Sequence, residues 1–446
     1  MTLTDKKTFK NKICDIIDER KEDITSIGDA IRKNPELGYK EFKTADLSAR
    51  IMKSAGLPVE SGLAVTGVKG RLAGKHPGPT IALIGEMDAL PAPDHPWADP
   101  ETGVSHNCGH DAQIAGLLGA LFGLTAAAIA QKISGTIIFL CVPAEEYVDI
   151  DFRERLVKEG MIFYLGGKQE LIRLGHFDDV DLSLMIHIHS SADYPTVAVA
   201  DSSNGFIVKK VRFLGKAAHA GLAPHQGINA LNAAHLAIAA IHAHRETFRD
   251  EDAVRVHPII TRGGDSVNVV PSEVWLETFV RARTTEAMQD ASDKVDRSIR
   301  AGAMAIGAGV EIKTMPGYLP MGNNPDLRNI LGENSRKRFG KDAFGRVPHR
   351  SGSTDMGDLS QIMPALHPYL AGATGSPHSD NWQLDDSSRV YTRLAKLMAM
   401  TAVDLLWGKA EIARSILKHH RPTFTREQYT AQLESWSKTD TYSTPK

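Results

Sequence analysis

Apolar positions along the chain recur with two different periods. Between residues 9 and 33 they fall at helical spacing and stop at Asn34-Pro35, so an amphipathic helix is expected there. Beyond it, short unbroken apolar runs at 80–85, 135–142 and 181–187 alternate with helical stretches, the most apolar at 108–131. Continuous apolar strands separated by helices indicate a mostly parallel sheet covered by helices. An α/β fold is therefore expected.

The texture changes near Asp201. The run 205–214 interleaves Lys and Arg with apolar residues, as a strand with one solvated face would. An Ala-rich helix at 226–244, strands near 253–261 and 273–283, and a helix at 285–306 follow. This β-α-β-β-α order reads as a smaller α+β domain inserted into the first. The expected division is 1–203 for the first part of the larger domain, 204–316 for the insertion and 317–446 for the return. The return ends in a helix at 388–406 and a polar tail.

Composition narrows the class. Of 446 residues, 42% are hydrophobic and 24% charged, which excludes a disordered, collagenous or coiled-coil chain. Lys plus Arg is 52 and Asp plus Glu is 54, a formal charge of −2, too weak to recruit nucleic acid or an anionic membrane. Three cysteines make no disulfide framework, and the charged N-terminus lacks an apolar signal segment, so a cytoplasmic protein is expected. The apolar run 114–130 contains Gly116, Gly119 and Gly123 and falls short of the ~20 residues a membrane span needs. It is expected as a buried helix.

Chemistry-bearing residues gather at predicted strand ends. Cys108 and His110 stand two apart where an apolar strand passes into the buried helix, a spacing that suits a transition metal. Glu145 and Glu146 follow the strand 135–142, where open α/β sheets place ligands, and adjacent residues point in different directions. One carboxylate can then hold a metal while the other acts as a general base. His187 and His189 share a face at the end of another strand, and either qualifies as a ligand. His378 lies in a late Gly/Pro-rich loop. Together these donors suffice for two metals sharing a ligand.

Ordered motifs carry a resemblance. Asn34-Pro35-Glu36-Leu37-Gly38, Glu86-Met87-Asp88-Ala89-Leu90-Pro91, Asn107-Cys108-Gly109-His110-Asp111, Pro143-Ala144-Glu145-Glu146, Ala218-His219-Ala220, Asn268-Val269-Val270-Pro271 and Ser353-Thr354-Asp355 occur in sequence. Over residues 30 to 400 the chain resembles metallopeptidase family twenty, in particular its amidohydrolase branch of hippurate, auxin-conjugate and aminobenzoyl-glutamate hydrolases. The resemblance implies a metal-dependent amide hydrolase of N-acyl or aroyl amino acids, with a dipeptidase or aminoacylase as the alternative and a non-catalytic metal-binding protein as the competing class. It implies two divalent ions, zinc by donor type or manganese by family habit. Their ligands would be Cys108 as the bridge, His110, Glu146, His187 in preference to His189, and His378.

In the same reading Glu145 is the general base toward a water activated by the metals. The inserted domain is a lid that makes a homodimer, and His219 reaches a neighbouring site to stabilise the oxyanion. From the residues alone, His219 fits a role in its own site or in a neighbour's, and the lesser alternative is a surface histidine capping the turn before Pro224. Asn268 and Arg281 match positions that hold the substrate carboxylate. The chain departs from the branch at Gln113, where a histidine is usual, and in Tyr147-Val148-Asp149-Ile150-Asp151-Phe152-Arg153, where relatives often have Gly.

Overall fold

The computed structural model describes residues 3–443 and divides into two compact units. The first comprises the chain up to Asp201, Gly322–Pro348 and Asp358–Thr423. Its six-stranded sheet runs in the order Val59–Leu63, Gly67–Ala73, Ser134–Val142, His76–Glu86, Leu182–Met185, Ala365–Leu366. The four last-named strands are mutually parallel and the first two pair antiparallel. A mixed, mostly parallel sheet matches the expectation. Ser134–Val142 is buried at eight of its nine positions, the burial that a sheet covered on both faces imposes.

The helix His110–Ala126 lies at the centre of the core, with positions 110 through 124 all buried. A Cβ on Gly116 would collide with Leu394, one on Gly119 with Ala395, and one on Gly123 with Ile17. The glycines that interrupt the apolar run thus let Ser387–Leu406 and the N-terminal helices approach closely. No helix among the described residues is long and apolar enough to cross a membrane.

Two segments differ from the pattern-based expectation. The single helix at 9–33 is two, Leu3–Glu19 and Lys21–Arg32, with Arg20 leaving helical geometry at φ −93 and ψ 15. The break brings both Ile13/Ile17 and Ile24 onto the glycine face of the central helix. The strand at 181–187 is also two, Leu182–Met185 in the main sheet and His187–His189 in a separate four-stranded sheet.

The second unit comprises Ser202–Met321, His349–Gly357 and the chain from Phe424. Gly205–Leu214 pairs antiparallel with Glu273–Ala282 on one side and Gly309–Pro316 on the other. Burial alternates strictly along Glu273–Ala282, and the helices Ala230–Ala243 and Thr285–Ile306 pack on its buried face. The return at 317–446 is corrected here. Its last stretch is no polar tail: helix Arg426–Trp436 and strand Lys438–Tyr442 belong to the second unit, where the strand pairs with the edge strand Gly309–Pro316. Alternation in five polar residues is too short to announce an edge strand that gains its stability from pairing.

Candidate metal centre

The site stands at the carboxyl ends of neighbouring parallel strands in the first unit, where α/β sheets open toward ligands. Gly109 makes the local turn possible. Its φ is +92, a left-handed conformation, and a Cβ there would press on Trp382 and Ile188. This turn presents Cys108 just before the helix and His110 as its first residue.

Two donor groups share one atom. Cys108, His110 and His187 bring their ligand atoms within 4.8 Å of one another, and so do Cys108, Glu146 and His378. The Cys108 Sγ lies 3.4 Å from His187 Nε2, and His378 Nε2 lies 3.1 Å from Glu146 Oε1. A third group, Glu86, His110 and Glu145, adjoins them within the same limit. His189 is outside all three; its Nε2 is 3.2 Å from the Pro195 carbonyl and its ring packs on Tyr194. The two histidines share the strand His187–His189 yet have different neighbours.

Electrostatics favour cations here. Burial and Glu146 push the Cys108 thiol up, yet the His187 and His110 imidazoles outweigh them and bring it down to about 6. Burial works against a charged His378, but Cys108 and Glu146 raise it to about 11. Thiolate and carboxylate charge thus accumulates at one point. His110 Nε2 and Glu146 Oε1 are buried and face other donor atoms of the site, Glu86 Oε2 and His378 Nε2, each at 3.1 Å. A thiolate, imidazoles and a carboxylate are donors for divalent metal ions, so the residues fit the two implied cations.

Support for the donors comes from residues the sequence did not single out. His110 Nδ1 donates to the Asp88 carbonyl at 2.8 Å, which leaves Nε2 as the lone-pair donor. Asp88 Oδ2 accepts the Glu146 N–H at 2.8 Å. Arg153 is fully buried and donates to the carbonyls of Leu165 and Glu146. The departing segment 147–153 is therefore a brace for the acidic pair, with Ala144 in the left-handed region at φ +53. Glu41 accepts from Ala144 N at 2.8 Å and from Thr66 Oγ1 at 2.6 Å. Asp88 lay within a quoted motif, but nothing in the local pattern announced Arg153 or Glu41.

His219, Asn268 and Arg281 belong to the second unit. His219 and Asn268 are exposed on two segments that pair with each other, through Ala220 N to Asn268 O at 2.9 Å and Val270 N to Ala218 O at 2.9 Å. His219 Nδ1 accepts from Gly221 N at 3.2 Å and Leu222 N at 3.0 Å. It caps the turn, and the capping leaves the ring proton on Nε2, pointing outward as a donor. Arg281 sits at the opposite end of strand Glu273–Ala282, where Nη1 donates to Ser353 Oγ at 2.7 Å and the guanidinium packs on Phe206 and Phe279. Eight residues of strand, roughly 26 Å, separate the two ends. Asn268 and Arg281, expected around one carboxylate, do not come together within one unit.

A mostly parallel α/β sheet with a shared-cysteine donor cluster at its carboxyl edge is the frame of a metal-binding protein, and the comparisons make the class a metallopeptidase-type hydrolase. Residues 82–403 match the model of Peptidase family M20/M25/M40, and the chain belongs to that family. It is similar to the Xaa-Arg dipeptidase of Mus musculus, 30% identical over 444 residues that cover 94% of each chain. It is also similar to the indole-3-acetyl-aspartic acid hydrolase of Enterobacter agglomerans, 27% identical over 422 residues, 90% of this chain and 91% of that one. Among solved structures, a dinuclear metal-binding peptidase of Bacillus subtilis shares the fold with a TM-score of 0.67 at 21% identity, over 87% of this chain and 99% of that one.

Proposed function

We propose that the protein hydrolyses the amide bond of an N-acyl or aroyl amino acid, such as an indoleacetyl- or aminobenzoyl-amino-acid conjugate, using two divalent cations. The observation that carries this reading is the pair of donor groups joined at Cys108 with Glu145 beside them. Cations held there would polarise the scissile carbonyl and acidify a water. Glu145, 8% exposed, takes the proton from the attacking water and delivers it to the leaving amine nitrogen. His219 donates its Nε2–H to the oxyanion, and its turn-capping fixes the tautomer this requires. Arg281 pairs with the carboxylate of the amino-acid product.

The opposite placement of His219 and Arg281 in the second unit supports a homodimer. If both serve one substrate, roughly 26 Å of strand requires them to come from different copies. Exposed Leu222, Val267 and Val269 flank the His219 and Asn268 segments, apolar surface that a second copy would cover.

A dipeptidase is the second reading, favoured by the similarity to an Xaa-Arg dipeptidase over nearly the whole chain. Purified protein loaded with zinc or manganese is assayed on N-acyl and aroyl amino acids and on dipeptides ending in Arg or Lys. Release of free amino acid from an acyl substrate is the expected result. Preference for the dipeptides moves the assignment to the second reading, and two bound metals with no turnover on either set defeats both.

A further inference from the structure

Beside the cluster lies a buried ionic assembly that the reaction does not use. Glu86 closes the strand His76–Glu86 and is fully buried, as are Lys168 and Gln113. Lys168 Nζ donates to Glu86 Oε1 at 2.7 Å, and Gln113 Nε2 donates to Glu86 Oε2 at 2.7 Å. The Gln113 amide also accepts the Glu86 N–H at 3.2 Å, so one terminal group pins both the backbone and the carboxylate. This gives the departure at Gln113 a task. A Lys–Glu pair in a dry interior costs desolvation that apolar packing would avoid. The pair is costly unless it serves the site.

We propose that Glu86 is an additional donor, through Oε2, to the cation held by Cys108, His110 and His187. The inference rests on the two-metal reading above. Its geometric basis is the distance from Glu86 Oε2 to His110 Nε2, 3.1 Å. Nitrogen and oxygen donors that each lie about 2.1 Å from one ion stand roughly 3.0 to 3.4 Å apart, the range from octahedral to tetrahedral angles. Glu86, His110 and Glu145 also form a donor group within 4.8 Å. Lys168 occupies one side of Oε1 and Gln113 one side of Oε2, and the other side of Oε2 is within 3.1 Å of His110 Nε2.

The two cation positions are then unequal. One has four protein donors, Cys108, His110, His187 and Glu86, around the fully buried His110. The other has three, Cys108, Glu146 and His378, with the His378 side chain 51% exposed. The first position holds its ion more tightly and yields it last to a chelator.

The test titrates chelator-stripped protein with Co(II), reading bound equivalents by metal analysis and the coordination sphere by absorption. Wild type is expected to take up two equivalents in two steps. Glu86→Gln should weaken the tighter step more than 100-fold and alter the cobalt ligand-field bands, while the Cys108 thiolate charge-transfer band persists. The double variant Glu86→Gln with Lys168→Met removes both buried charges together and should fold and show the same loss, which guards against a misfolded single variant. Two unchanged steps in Glu86→Gln would overturn the assignment. So would weaker binding with an unchanged ligand field, because that makes Glu86 only a positioning residue acting through His110. Wild type that binds no cation sinks the hydrolase reading as well.

Discussion

Arg153→Met tests whether the buried guanidinium braces the acidic pair. The substitution keeps most of the aliphatic stem and removes the guanidinium donors. Leu165 O loses its partner, and Glu146 O keeps only the Val148 N–H at 2.9 Å. Stranding one buried carbonyl costs about 1–3 kcal/mol before relaxation. Relief from burying the charge offsets part of this, and about 1–2 kcal/mol is expected. The functional effect follows from place. With the guanidinium anchor on Glu146 O gone and Ala144 already in the left-handed region, the segment bearing Glu145 and Glu146 gains freedom. Metal occupancy and kcat/KM should both fall, the latter at least tenfold. Arg153→Lys should recover part of the stability, because one ammonium cannot match the fork that spans two carbonyls. Gly38→Ala should mimic the defect, because a Cβ there meets Arg153 Nη2 and the Ala144 Cα. Urea denaturation gives the stability, metal analysis the occupancy and steady-state kinetics the turnover. A variant within about 0.5 kcal/mol of wild type, or one that loses stability with metal content and turnover unchanged, refutes the bracing argument.

Glu145→Gln should retain both metals and lose about 10² or more in kcat, whereas Glu146→Gln should lose metal; the reverse pattern in metal analysis would exchange their roles. Mixing inactive His219→Ala and Glu145→Gln under subunit exchange should restore activity at up to about a quarter of the sites if His219 acts across a dimer, and no recovery despite proven exchange defeats the trans role. Glu41 gives a pH test: burial first, then Asp88, pushes its carboxyl up to about 8. A folded value above the unfolded one means its contribution is fully present below the ordinary carboxylate value of 4.5 and is lost as pH rises through about 8. Glu41→Gln keeps an acceptor for Ala144 N and a donor for Thr66, so its stability relative to wild type should improve by about 3–4 kcal/mol between pH 5 and pH 8. A pH-independent difference in urea midpoints would show that Glu41 is ionised throughout.

The sequence by itself determined what short-range geometry can encode. Two-residue spacing across Gly109 sets Cys108 and His110 around one turn. Unbroken apolar runs specify covered parallel strands, and the glycines of 114–130 specify a helix that others approach closely. Adjacency made Glu145 and Glu146 a pair with divergent directions. Such features depend on backbone period and on neighbours a few positions away, so they leave a readable pattern. Tertiary structure alone decided the rest. His187 rather than His189 lies against Cys108, while His189 meets Pro195 O and Tyr194, contacts that alternation along one strand does not record. Lys168 meets Glu86 across 82 positions of chain, and Arg153 reaches Leu165 O and Glu146 O from a segment that the sequence marked only as a departure. The strand Lys438–Tyr442 exists only because Gly309–Pro316 presents it an edge. Asn268 and Arg281 fall at opposite ends of one sheet because strand length, not sequence separation, sets their distance. A buried charge is stable only beside its partner, and that partner comes from wherever the fold brings it, so no local period records it.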